Sequence, residues 1–311
     1  MPPRPQPRAQ RLFVLSLCGL ALLAGCRGEP SAPATAKAVA DGPEAAVQQL
    51  ARRLQDNDLA GFARDAVPPA EHAALETAWR EGRSRWPLTE LPLDEQLEPM
   101  LAALAAPGSE RSLQQAFRRN FAYQDKDLKD AARSLGLFGV QYVKREGVFT
   151  EEERLHYAQV ITALSEWAQR APLADPQRGS VAIPALAAAA RKTGLASEQA
   201  FREAGMHASL QRLGPFFAQA KASLASYGLS LDETLLGLRT ELVEQQGDQA
   251  RVRLRYPLGG RQVDTVAGLQ RLDGRWYLSD HLRHARAALA PPAEDSGQLP
   301  GPGPTPPPPR P

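Results

Sequence analysis

Asp280, His281 and His284 fall within five residues of one another, and two imidazoles with a carboxylate can hold zinc. A spacing of three puts His281 and His284 on one face if the segment is helical. The same segment reads more simply as a solvated helix start with Asp280 as its N-cap. Glu152 or Glu153 with His156 makes half of a helical carboxylate–histidine metal site, but the duplicate half is missing. In "GRSRW", Ser84 follows Gly82, yet Trp86 stands where a nucleophile elbow needs its second glycine. Ser84 therefore reads as loop beside a packing tryptophan. No Gly-rich phosphate loop of the Walker or dinucleotide type is present, and "PLGGRQ" reads as a hairpin turn. These stretches offer no catalytic constellation, no metal set and no cofactor motif, so the expected protein is not an enzyme.

One electrostatic pattern remains. Arg251, Arg253 and Arg255 alternate with Val252, Leu254 and Tyr256, so a strand would set the three guanidinium groups in a row opposite the core. Arginine forks suit phosphate and carboxylate, which makes the row a candidate anion-binding face. The competing reading is a solvated sheet face balanced across strands by Glu241 and Glu244.

The two cysteines, Cys18 and Cys26, lie at one end of the chain. It opens "MPPRPQPRAQRLFVLSLCGLALLAGC", with Arg4, Arg8 and Arg11 ahead of an apolar stretch running from Leu12 to Gly25. That stretch is shorter than the roughly twenty residues a membrane-spanning helix needs, and its charged start and small-residue exit read as a secretory signal. Leu23-Ala24-Gly25-Cys26 resembles the lipobox of bacterial lipoproteins. The resemblance implies cleavage between Gly25 and Cys26, a diacylglyceryl group on the Cys26 sulfur and acylation of the new amino group. Two or more acyl chains anchor a protein stably, so the membrane is an expected partner through lipid rather than through a span. Arg27, in place of the aspartate that marks inner-membrane retention in such lipoproteins, implies the periplasmic face of the outer membrane.

The mature body would then have no thiol, which excludes disulfides, cysteine nucleophiles and thiolate metal sites. The whole chain carries 37 basic and 35 acidic residues. Losing Arg4, Arg8 and Arg11 brings the formal charge to about −1, which gives no reason to expect nucleic acid.

These residues need elements to position them. After the signal (1–25), residues 26–42 are rich in Pro, Ala and small polar types and read as a flexible tether. Residues 43–227 carry helical periodicity, at Val47, Leu50 and Leu54, at Leu97, Met100, Leu101 and Leu104, at Leu128, Ala131, Ala132 and Leu135, and from Tyr157 to Ala168. Thr150 with Glu153 predicts a capping box. A further helix is expected from Met206 towards Tyr227, kinked at Pro215. The expectation is a set of short antiparallel helices.

In residues 228–289 the period becomes two, and turns at Gly247-Asp248, Gly259-Gly260 and Asp273-Gly274 predict a four-stranded antiparallel meander with one buried face. A short helix, "HLRHARAAL", closes it, and residues 290–311 read as a Pro/Gly-rich tail. The fold class is therefore α+β, a helical N-terminal region followed by a meander.

"AVQQLARRLQDNDLAGFARDAVPP" and "DGRWYLSD" resemble the opening helices and closing strands of NTF2-like (nuclear transport factor 2-like) domains, the helices between them then being an insertion. That resemblance implies a cone-shaped pocket between helix and sheet and transfers no catalytic residue. The leading expectation is a lipid-anchored, non-catalytic periplasmic module that binds an envelope protein or an anionic envelope component. The alternatives are a small-ligand carrier or enzyme with an NTF2-like pocket, and an immunity or inhibitor lipoprotein against a periplasm-acting toxin. The oligomeric state stays open.

Overall fold

The computed structural model describes residues 42–90, 96–145 and 149–290, which fall in one compact unit. Two short helices open it, α1 (Pro43–Gln55) and α2 (Leu59–Ala66), and α3 (Pro69–Arg80) follows. Proline in the first turn of α1 wastes no backbone donor, and the Asp58 carboxylate accepts the Gly61 N–H at 2.8 Å to start α2. A 3₁₀ turn at Leu88–Glu90 leads to α4 (Leu97–Ala105) and α5 (Ser109–Asn120).

Next come α6 (Asp125–Arg145), α7 (Glu151–Arg170), α8 (Pro176–Thr193), α9 (Glu198–Ser226) and α10 (Leu231–Leu236). The capping box of α7 forms as expected. Thr150 Oγ1 accepts the Glu153 N–H at 3.2 Å, and Glu153 Oε2 accepts the Thr150 N–H at 2.7 Å.

The sheet follows as β1 (Arg239–Gln246), β2 (Gln249–Leu258), β3 (Arg261–Leu272) and β4 (Arg275–Leu278), in the order β1-β2-β3-β4 and antiparallel throughout. At the β3–β4 turn both Asp273 and Gly274 have positive φ, as a tight Asp-Gly hairpin requires. Helix α11 (Ser279–Leu289) closes the described chain. The class is α+β, with helices first and an antiparallel meander after them.

Four expectations change. The helices are not uniformly short, since α6, α7 and α9 span 21, 20 and 29 residues. The break in α9 falls at Gly205 (φ 78°, ψ 170°), while Pro215 sits inside the second half. Leu135, expected on a packed face, is 69 % exposed with Phe138 and Tyr142 beside it, because α6 packs on α7 and offers its outer side to solvent. β1 buries no face: Leu242 and Val243 are exposed where its pairing with β2 bulges.

The largest core takes residues from both sides of Gly228. Phe62, Trp79, Trp86, Leu101, Phe201 and Met206 pack with Tyr277, Leu282 and Ala285, so the helices and the closing strand share one interior. Helix α7 guards the end of β3 that β4 leaves unpaired. The Gln159 amide donates to the Asp264 carbonyl at 2.8 Å and accepts the Asp264 N–H at 3.0 Å, which occupies an open strand edge.

Candidate functional site: an apolar cavity with one unpaired imidazole

The cavity follows from the alternation along β2. Ala250, Val252, Leu254, Tyr256 and Leu258 point to the inner face. At one end Val47 of α1 seals Ala250 and Val252, together with Leu269 and Trp276. At the other end Ala163 of α7 and Leu229 seal Leu258 and Val263. Between the seals, Leu254 and Tyr256 stay half-buried and floor a cavity of about 490 Å³. Leu50, Ala51 and Leu54 of α1, with Leu59 and Phe62 of α2, form one wall. Leu231, Thr234 and Leu235 of α10 form another, and Pro87, Leu88, Glu90 and His281 close the far side. Gly237 lets the end of α10 lie against β2, since a Cβ there would stand 2.6 Å from the Pro257 ring.

Four polar side chains interrupt the apolar wall, and three are already satisfied. Thr234 Oγ1 donates to the Ser230 carbonyl at 3.1 Å. The Tyr256 hydroxyl hydrogen-bonds His156 Nε2 at 2.5 Å. Burial raises the Tyr256 pKa and lowers that of His156, so both are neutral near neutral pH. Glu90 accepts the Trp86 indole N–H on Oε1 and His284 Nδ1 on Oε2, each at 2.8 Å.

The fourth is His281. Its ring stands edge-on to Phe62 with centroids 5.6 Å apart, and its buried Nδ1 has no hydrogen-bond partner. Burial pushes the His281 pKa down, which keeps the imidazole neutral.

Behind this wall lies a charged network. His284 Nε2 is 3.2 Å from Glu153 Oε1, and Arg283 donates to that same oxygen at 2.5 Å. Arg283 also lies 3.5 Å from Asp280, whose pKa burial raises. Asp280 is not an N-cap: α11 begins one residue earlier, with Leu278 in the cap position, so the carboxylate sits in the first turn. His281 and His284 part company as well, one on the cavity wall and the other between two carboxylates. Among the described residues no group of three or more His, Cys, Asp or Glu side chains is placed to hold a metal. Ser84 is buried in a loop, its Oγ accepting the Trp86 N–H at 3.1 Å beside a fully buried indole.

Arg251, Arg253 and Arg255 do share the outer face of β2, half-exposed, and each has a carboxylate. Arg251 lies 3.4 Å from Glu152. Arg253 Nε lies 3.1 Å from Asp264 Oδ1, an ionic contact off hydrogen-bond angle that leaves the Nε–H unbonded. Arg255 lies 3.3 Å from Glu241 and 3.1 Å from Asp264. Glu241 thus acts as expected, whereas Glu244 accepts from Gln246 instead. Gly25, Cys26, the tether up to Asp41 and the tail from Pro291 lie outside the described residues. No helix among the described residues is long and apolar enough to cross a membrane.

Comparison with protein-family models, with curated proteins and with solved structures finds no match to this chain. Sequence reasoning missed Glu90, which sits in a 3₁₀ turn with no pattern around it, and the cavity role of Tyr256, which read as plain core.

Proposed function

We propose that this chain is a non-catalytic carrier that takes up small, hydrocarbon-rich molecules in the cavity between α1, α10 and the sheet. The observation that carries the reading is the wall itself: an open space of about 490 Å³ lined by Leu, Val, Phe, Ala and Pro with four polar side chains. Small-molecule sites fall in this size range and have this make-up, mostly apolar with a few placed polar groups. The resemblance of the opening helices and closing strands to NTF2-like domains supports it, since that fold holds its pocket between helix and sheet.

The lipobox resemblance at Leu23–Cys26 supplies the compartment: a carrier anchored by lipid at Cys26 on the periplasmic face of the outer membrane. Binding of an anionic envelope component through Arg251, Arg253 and Arg255 has less support, because every one of those guanidinium groups already faces a carboxylate.

The test is uptake of the neutral fluorescent probe N-phenyl-1-naphthylamine by the protein from Cys26 onward. Wild type should enhance its emission saturably, and Ala51→Trp, which fills the space from α1, should weaken that binding about tenfold or more. A wild-type protein that leaves the probe dark, or an Ala51→Trp variant that binds equally well, removes the reading.

A further inference from the structure

Building on that reading of the cavity, we propose that its ligand is an uncharged, mostly hydrocarbon molecule bearing one hydroxyl or carbonyl group, and that His281 hydrogen-bonds this group. Three of the four polar side chains on the wall already have a partner within the protein. Glu90 is held by Trp86 and His284, Tyr256 by His156, and Thr234 by the Ser230 carbonyl. His281 Nδ1 is buried without a partner. Buried polar atoms in native proteins are nearly always satisfied, and His281 lines the cavity with that need unmet.

The charge around the site selects the partner. Glu90 on the wall, and Glu153 and Asp280 behind it, have Arg283 and His284 as their cations. A carboxylate or phosphate head would bring one more negative charge into this poorly solvated end, which is costly without a cation to meet it. An ammonium would need three acceptors, and Arg283 and His284 already serve the carboxylates. A neutral imidazole offers one donor and one acceptor. Either tautomer serves, since a ring nitrogen can accept from a hydroxyl or give its N–H to a hydroxyl or carbonyl oxygen.

A matched ten-carbon series tests the inference by displacement of N-phenyl-1-naphthylamine at pH 7.5. Decanol and 2-decanone should displace the probe about tenfold more effectively than decanoate or decylamine. The preference, taken as the ratio of displacement constants within each variant, should collapse towards parity in His281→Leu, and His281→Gln, which keeps a donor and an acceptor, should retain most of it. The ligand-free His281→Leu protein should be at least as stable in urea as wild type, because no bond is lost. Decanoate or decylamine binding as tightly as decanol would overturn the inference, as would a preference unaltered in His281→Leu. Absence of probe uptake by wild type would instead remove the cavity reading beneath it.

Discussion

The Nδ1 of His284 lies 2.8 Å from Oε2 of Glu90, a residue 194 positions earlier in the chain. With its Nε2 3.2 Å from Glu153, the imidazole joins α11 to the 3₁₀ turn that walls the cavity and to the first turn of α7. Both ring nitrogens face carboxylate oxygens, so the protonated form suits the site. The hydrogen bond to Glu90 is the first cause of a His284 pKa above the ordinary 6.5, although partial burial opposes it.

A group whose folded pKa is raised contributes stability that is fully present below its unfolded value and lost as pH rises through the folded value. His284→Gln should therefore cost about 1 kcal/mol at pH 5.5 and clearly less at pH 8.5, measured by urea unfolding of both proteins. His156 and His281 act in the opposite direction, since burial depresses both and folding loses stability as they are driven to charge in acid. The difference between wild type and variant cancels His156, while His281, whose pKa a charged His284 lowers further, is relieved in the variant and subtracts from the contrast only in acid. An equal loss at both pH values would show that the bridge carries no charge.

A second prediction concerns where α9 bends. Gly205 has φ 78° and ψ 170°, a region nearly closed to other residues, and a Cβ there would meet the Arg80 and Glu76 side-chain ends at 2.4 Å. Gly205→Ala should destabilise by about 2 kcal/mol. Pro215→Ala should be neutral or stabilising, since it returns a backbone donor to a helix that stays regular there. The reverse order in thermal unfolding would put the hinge back at the proline.

Proline was the visible breaker in the sequence, and that explains much of what could be read in advance. Local chemistry was legible. The Thr150/Glu153 cap, the Asp273-Gly274 turn and the alternation along β2 each depend on neighbours within a few residues, and all three are present. Gly205 was not, because a lone glycine in a helical pattern does not say whether it will take a positive φ. Leu135 misled for a related reason: helical spacing shows that an apolar stripe exists, and only tertiary packing decides whether anything covers it. The cavity lies furthest from local signals. Leu254 and Tyr256 have the same alternation as Val252 and Leu258, and they differ only in that α1 and α7, from distant parts of the chain, seal the ends of the row and leave its middle open.

The third prediction tests what holds that opening in place. Lys221 of α9 is 3 % exposed and donates to the last carbonyls of α1, Leu54 at 3.3 Å and Gln55 at 2.9 Å, while also pairing with Asp232 of α10. One ammonium thus ties together three helices around the cavity, and it sits where the α1 dipole favours a cation. The two partners are unequal, since the Asp232 side chain is 51 % exposed. Lys221→Met leaves a carboxylate that can turn to water and frees two helix-end carbonyls, a loss of about 1 kcal/mol. Asp232→Asn strands a buried positive charge with neutral acceptors alone, and should cost more, about 2 kcal/mol, despite being the milder change in shape. Urea unfolding of the two variants side by side decides it. If Lys221→Met proves the more damaging, the carbonyl contacts outweigh the ion pair, and the junction of α1, α9 and α10 is held by helix capping instead.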